Sequence, residues 1–346
     1  MTGKLILEDK TEIKGISFGA EMPSAGEVVF ATGMMGYPES LTDPSYKGQI
    51  LILTYPLIGN YGIPDKKFWE SERIMVSGLI VSTYNDTPSH FQSKQTLAQW
   101  FKKEGVPLLE IKDTRFLTQK IREKGTMLGK IIFDKDIPFR DPNIENLVDQ
   151  VSTPKPVFIK GSGAKTVLLI NCGAKRNIEN CLTKRGVNIL TVPWDFDPFT
   201  EKNVAKFDGI LVSNGPGDPK MAIKTIQTVK KALIRKIPTL GICLGNQILA
   251  LAAGGDTKKL KYGHRSQNQP CKMEGSERCF ITTQNHGFAV SKIPSGFKPW
   301  FINANDLTNE GIMHKTLPFM SVQFHPEATP GPKDTEWIFD YFLEKI

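Results

Sequence analysis

At 346 residues the chain exceeds one ordinary domain, and 40% hydrophobic with 23% charged side chains at a mean hydropathy of −0.24 argues against a disordered or membrane-embedded protein. The formal charge of +8 is uneven: residues 1–150 hold 18 basic and 20 acidic groups, residues 151–346 hold 26 and 16, a surplus of +10. The lysines of that basic half are scattered, with no arginine and aromatic interleaving, which points to a solvated face or a protein partner and away from nucleic acid.

The opening Met1 to Asp9 carries charge where a signal peptide needs an apolar stretch, and no apolar run approaches transmembrane length, so a cytoplasmic protein without membrane contact is expected. In residues 1–150 apolar strands come early, over Glu27–Phe30 and Gln49–Leu53. Helical spacing comes late, over Ser93–Lys103 and Thr114–Glu123, which predicts an α+β domain. Between 151 and 165 the run Val151-Ser152-Thr153-Pro154-Lys155-Pro156 and the Gly161-Ser162-Gly163 turn read as a linker.

From 166 to 346 the pattern changes. Lys165–Ile170, Gly209–Ser213 and Pro238–Ile242 are short β-branched apolar runs, and Met221–Arg235 between the last two has apolar residues at helical spacing. Strands alternating with helices predict an α/β domain with a mostly parallel central sheet flanked by helices.

Three segments of this half carry chemistry. The first is Ser213-Asn214-Gly215-Pro216-Gly217-Asp218-Pro219, a rigid turn directly after a strand, at the carboxyl edge where open α/β sheets bind ligands. Alone it is only a turn, since Gly and Pro are ordinary turn residues. The second is Gly241-Ile242-Cys243-Leu244-Gly245-Asn246-Gln247, where glycines flank a thiol between a strand and a helix running to the Gly254-Gly255 stop. Such an elbow exposes the sulfur above the sheet, and the helix N-terminus favours its thiolate. Alone it is equally a buried core cysteine.

The third is His325-Pro326-Glu327, 82 residues beyond the thiol, after the predicted strand Phe319–Phe324. In an extended segment His325 and Glu327 project to one side, and a carboxylate beside an imidazole fixes its tautomer and stabilises the imidazolium. Cys243, His325 and Glu327 together describe a covalent acyl-transfer site. Five cysteines, an odd number without close pairs, suggest neither a disulfide framework nor a CxxC zinc site, and no metal is expected. Cys172 also follows a strand but lacks the elbow and a histidine partner, so it is read as structural.

These three segments resemble the class I, triad-type glutamine amidotransferase domain. The first half resembles the small subunit of carbamoyl-phosphate synthetase, through Gly26–Phe30, Thr32-Gly33-Met34-Met35-Gly36-Tyr37, Leu41–Tyr46, Thr54–Gly62, Asp113–Thr118 and Gly125–Gly129. Gln284-Asn285-His286-Gly287-Phe288 and Pro326–Pro332 extend the match. The resemblance implies that Cys243 attacks the side-chain amide of glutamine, that ammonia leaves, and that water hydrolyses the thioester. It implies glutamine contacts from Ser45, Gly215, Gly217, Leu244, Gln247, Asn285, Gly287 and Phe288, with the amides of Gly215 and Leu244 as oxyanion donors. It further implies no cofactor in this chain, and a large-subunit partner that uses ATP and Mg to make carbamoyl phosphate for arginine and pyrimidine synthesis. Two departures stand out: Asn246 where family members often have His, and Arg265-Ser266-Gln267-Asn268 in place of a glycine-rich stretch. The competing readings are the amidotransferase subunit of another synthetase, against which the first 150 residues count, and a non-catalytic regulatory scaffold, against which the intact triad counts.

Overall fold

Strands buried on both faces organise both halves of the computed structural model, which describes residues 1–346 as two units, Met1–Glu145 and Asn146–Ile346. In the first unit, strands β1 (Thr2–Leu7), β2 (Glu12–Ser17), β3 (Ser24–Ala31), β4 (Gln49–Leu53), β5 (Gly78–Val81), β6 (Leu108–Glu110) and β7 (Met127–Ile132) close into a barrel in the order β1-β2-β6-β5-β4-β3-β7. Helices α1 (Tyr37–Thr42), α2 (Leu97–Glu104) and α3 (Thr114–Lys124) accompany them. Val29, Leu51, Leu53, Leu79 and Val81 pack with Leu41 of α1 and Trp100 and Phe101 of α2. The alternate residues Val28, Ile50, Ile52 and Ile80 are also fully buried and fill the barrel, as the two-residue period of a strand requires. The α+β expectation therefore corresponds to a barrel with helices outside it. Closure needs pairings between strands distant in sequence, which a local pattern does not reveal.

The second unit contains strands β8 (Val157–Ile159), β9 (Thr166–Asn171), β10 (Asn188–Pro193), β11 (Gly209–Val212), β12 (Thr239–Ile242), β13 (Asp256–Met273), β14 (Cys279–Lys292), β15 (Phe297–Asn303), β16 (Asn309–His314) and β17 (Phe319–Val322). Its helices are α4 (Arg176–Thr183), α5 (Ile223–Ile234), α6 (Leu244–Ala252) and α7 (Trp337–Leu343). One ten-stranded sheet runs β14-β13-β15-β16-β17-β12-β11-β9-β10-β8. Its centre, β10-β9-β11-β12-β17, is parallel throughout. Leu168 and Ile170 of β9 face the core that includes α5 and α6, while Val167 and Leu169 face the core that includes α4 and α7. Burial on both faces is why these strands read as unbroken apolar runs.

The segment expected as a linker, 151–165, is tied into this second unit. Val157–Ile159 pairs antiparallel with β10, and Gly161 N–H donates to Asn188 Oδ1 at 2.9 Å. Its Pro and Gly residues mark turns, and the apolar triplet between them is long enough to add an edge strand. The antiparallel half, β13 to β16, is a second addition that the βα alternation did not foretell.

Candidate active site

Because the central strands are parallel, their carboxyl ends lie along one edge of the sheet, and four successive chain segments emerge there. These are Cys172–Lys175 after β9, Ser213–Pro219 after β11, Cys243 after β12 and Gln323–Glu327 after β17. Sequence separation is irrelevant to a convergence of this kind.

Cys243 is the residue preceding α6, and its φ of 55° with ψ of −102° lies where non-glycine residues are strained. Its N–H donates to Val322 O at 2.8 Å, which ties the elbow to β17. The helix can start so abruptly because a Cβ on Gly245 would stand 2.1 Å from Val212 O, and one on Gly241 would stand 2.3 Å from Gly245 O. Only glycine permits that approach of helix to sheet. Helix α6 starts two residues earlier than the apolar spacing indicated, at Leu244, so the sulfur sits at its very N-terminus. First-turn amides of a helix lack intrahelical acceptors, which suits the Leu244 N–H to an anionic oxygen.

His325 and Glu327 are both fully buried and adjoin as expected, Nδ1 donating to Glu327 Oε1 at 2.6 Å. This fixes the tautomer and turns Nε2 away from the carboxylate; Nε2 is buried and makes no other hydrogen bond of ordinary geometry. Burial disfavours the charged ring, but the Glu327 carboxylate and then the Cys243 sulfur outweigh it and hold the imidazole above its usual range. For Glu327, burial favours the neutral acid, and Lys175 followed by His325 overcomes it and keeps the carboxylate ionised. The arrangement is a buried carboxylate–imidazole pair beside the Cys243 sulfur.

Lys175 is the residue that the sequence reading missed. Its ammonium, with the side chain only 2% exposed, lies 3.2 Å from Glu327 Oε1 and donates to the Ala328 carbonyl. Its own N–H donates to Asn214 Oδ1 at 3.1 Å, so the loops after β9 and β11 are joined through it. Asn177 supports the same carboxylate segment by donating to Glu327 O. The available signal was positional, since Gly173-Ala174-Lys175 follows a central strand just as the three recognised motifs do.

The other singled-out residues are distributed as follows. Gly215 and Gly217 lie in the loop after β11; Gly215 presses on the Cys172 carbonyl, where a Cβ would come within 2.2 Å, and Gly217 has a φ of 82°. Gln247, in the first turn of α6, donates to Phe288 O at 2.7 Å and to Gln323 Oε1 at 3.1 Å. Asn285, Gly287 and Phe288 are on β14, and the Cys243 thiol approaches the Asn285 carbonyl at 3.7 Å. The second unit thus brings Gln247, Asn285 and Phe288 together with the thiol. Ser45 belongs to the first unit, buried in the turn Pro44–Tyr46, where its N–H donates to Asp43 Oδ1 at 2.9 Å. Asn246 is accommodated by accepting from Ser321 Oγ at 2.8 Å and donating to Gln323 Oε1 at 3.0 Å. Burial pushes the Cys172 thiol up to about 12, consistent with an inert structural cysteine.

Chemically, the site offers a nucleophile at the carboxyl edge of the sheet, a base whose orientation is set by a carboxylate, and backbone amides beside the sulfur. Cys243 is only 2% exposed where the elbow had suggested an exposed sulfur, because β14 and the segment after β17 lie over it. No helix of the protein is long and apolar enough to cross a membrane. The family model of the carbamoyl-phosphate synthase small chain, CPSase domain, matches residues 5–131, and that of glutamine amidotransferase class-I matches residues 168–345. The chain is 49% identical over 356 residues to the multifunctional protein CAD of Squalus acanthias, covering 98% of this chain and 16% of that one. It is 45% identical over 387 residues to the multifunctional protein ura1 of Schizosaccharomyces pombe, covering 99% and 17%. It is 49% identical over 359 residues to the mitochondrial carbamoyl-phosphate synthase (ammonia) of Homo sapiens, covering 100% and 24%. The chain therefore spans about a sixth to a quarter of the length of the curated relatives it matches.

Proposed function

The chain belongs to the class-I glutamine amidotransferases, with a carbamoyl-phosphate synthase small-chain domain ahead of the amidotransferase domain, and from that premise we propose that it is the glutaminase part of a glutamine-dependent carbamoyl-phosphate synthase. One of the relatives is named for ammonia, so the case for glutamine rests on this chain's own residues. The observation that carries it is the buried Glu327–His325 pair at 2.6 Å with Cys243 beside it in a strained elbow.

In this reading the Cys243 thiol gives its proton to His325 Nε2 and its sulfur attacks the carbonyl carbon of the glutamine side-chain amide. The negative oxygen formed is held by the Gly215 and Leu244 amides, and His325 Nε2 delivers the proton with which the C–N bond breaks and ammonia leaves. Water, deprotonated by the same nitrogen, then hydrolyses the thioester to glutamate and regenerates the thiol. Glu327 keeps Nε2 directed at the sulfur throughout, and Lys175 keeps Glu327 ionised. Gly217, Gln247, Asn285, Gly287 and Phe288 bind the amino acid. Gln247 does so partly by holding the Phe288 backbone, to which its amide is bonded.

Ammonia then passes to a large subunit that uses ATP and Mg to make carbamoyl phosphate from bicarbonate, for arginine and pyrimidine synthesis. The five free cysteines suit a reducing compartment such as the cytoplasm. A synthetase of another kind is disfavoured by the small-chain match over 5–131, and a silent scaffold by the ordered triad. The test is carbamoyl phosphate formation from glutamine by this chain with its large subunit, ammonia replacing glutamine as control. Cys243→Ser is expected to abolish the glutamine reaction and leave the ammonia reaction; loss of both, or of neither, overturns the assignment.

A further inference from the structure

Outside the triad, the second unit buries three metal-ligating side chains at one point. His264 of β13 and His286 of β14 are directly opposite in the antiparallel register, and Glu310 of β16 lies against both. One ligand atom from each, an imidazole nitrogen or a carboxylate oxygen, lies within 4.8 Å of the others. His264 Nδ1 is 3.3 Å and His286 Nε2 is 3.9 Å from Glu310 Oε1. Tetrahedral zinc, with bonds of about 2.0–2.2 Å, needs donor separations of about 3.4 Å, so His264 Nδ1 already stands at that distance from Glu310 Oε1, while the His286–Glu310 edge must close by about 0.5 Å and the edge between the two rings by up to about 1.4 Å. Gln284 Oε1, 2.8 Å from His264 Nδ1 and 3.1 Å from His286 Nε2, stands as a fourth oxygen donor.

The outward ring nitrogens are already engaged. His286 Nδ1 is 2.8 Å from the Phe288 carbonyl, which can only accept, so this nitrogen carries the proton. The neutral ring then aims the Nε2 lone pair at Gln284 Oε1, which is itself an acceptor because the Gln284 amide donates to Glu310 Oε2 at 3.0 Å. His264 Nε2 is bonded to Asp306 Oδ2 at 3.0 Å, leaving Nδ1 directed inward. A carbonyl behind one histidine and a carboxylate behind the other is the support that metal-bound imidazoles require. Glu310 is fixed in the same manner, its Oε1 accepting from Thr308 Oγ1 at 3.3 Å and from Asn303 Nδ2 at 3.4 Å. His264 Nδ1, His286 Nε2, the Gln284 carbonyl and Glu310 therefore face one another at close range, where a bound cation would take the place of the shared protons.

We propose that His264, His286 and Glu310, with Gln284, bind a divalent transition metal ion of the zinc class, distinct from the triad. Asp306, with its side chain 44% exposed, borders the site on the solvent side. The ion fastens β13, β14 and β16 together, and it reaches the glutamine-binding strand through the Phe288 carbonyl, which accepts from both His286 and Gln247.

The experiment is titration of the 346-residue chain carrying Cys243→Ser and Cys279→Ser with Co²⁺, followed by visible absorption and by metal content after dialysis. Removal of those two thiols leaves Cys271, Cys172 and Cys181, all buried. One equivalent of Co²⁺ with four-coordinate nitrogen and oxygen bands is expected, displaced by Zn²⁺. Asp306→Asn, a half-exposed change, is expected to weaken binding about 10–100-fold as loss of an outer support does. Glu310→Gln is expected to abolish the bands. Absence of a stoichiometric site, sulfur-to-cobalt bands, or unchanged affinity in Asp306→Asn overturns the proposal and leaves the cluster as a hydrogen-bonded core network. None of these readouts depends on glutamine hydrolysis.

Discussion

Replacing Glu327 by Gln tests both what the carboxylate does and what Lys175 does for it. The amide retains the size of the side chain but cannot neutralise an imidazolium, so kcat for glutamine hydrolysis is expected to fall about 10³–10⁴-fold, as carboxylate-to-amide changes do in comparable triads. A second loss is structural. The Lys175 ammonium, 2% exposed and 3.2 Å from Glu327 Oε1, is left buried without its counter-charge, and breaking such a pair from one side costs about 3–5 kcal/mol. For a unit of about 200 residues, at about 2–4 °C per kcal/mol, the melting temperature of the second unit should drop by about 6–20 °C. The two losses separate in the double variant Glu327→Gln/Lys175→Met. Removing the stranded charge should restore much of the melting temperature while kcat stays low, a non-additivity expected of touching residues. Calorimetry and an ammonia-release assay on the two single variants and the double variant provide both readouts. A Glu327→Gln variant that melts with the parent chain, or a double variant that melts no higher than Glu327→Gln, would refute this account of Lys175.

Other outcomes follow from the same geometry. His325→Asn removes the proton carrier itself and should cost more in kcat than Glu327→Gln, toward about 10⁶-fold in the manner of a lost base; equal losses would assign Glu327 a larger part than orientation. Gly245→Ala places a Cβ 2.1 Å from Val212 O, against backbone that cannot yield cheaply, so a loss of about 1–3 kcal/mol in stability together with a displaced thiol is expected in a denaturant titration and a kcat measurement. The pH dependence of stability should have two arms. Glu327, depressed to about 2, contributes stability that is present above its unfolded value of about 4.3 and is lost as pH falls through about 2. His325, raised to about 10, contributes stability that is present below about 6.5 and is lost as pH rises through about 10. Melting temperatures measured from acid to alkali should therefore form a plateau that narrows on the alkaline side in Glu327→Gln.

Much of the site was readable because its chemistry is carried by short contiguous segments. Gly241 to Gly245 demands a close turn wherever it occurs, and His325 with Glu327 at a spacing of two share a side of any extended segment. The parallel centre of the second unit was readable because strands buried on both faces leave unbroken apolar runs. Three things were not. Closure of the first unit into a barrel rests on pairings such as β1 with β7, across more than 100 residues, that no local period records. The edge strand Val157–Ile159 is too short and too closely flanked by Pro and Gly to be told from a linker. Lys175 was one lysine among many.

By itself the sequence picked out Cys243, His325 and Glu327, the division into an α+β first part and an α/β second part, and the family, because each is written in residue types at fixed short spacing. Only the tertiary structure decided that Lys175 is buried against Glu327, that Gln247 is bonded to the Phe288 backbone, and that His264, His286 and Glu310 meet. Those relations join strands and helices 22 to 152 residues apart, and whether a charge is buried or solvated depends on what the rest of the chain lays over it.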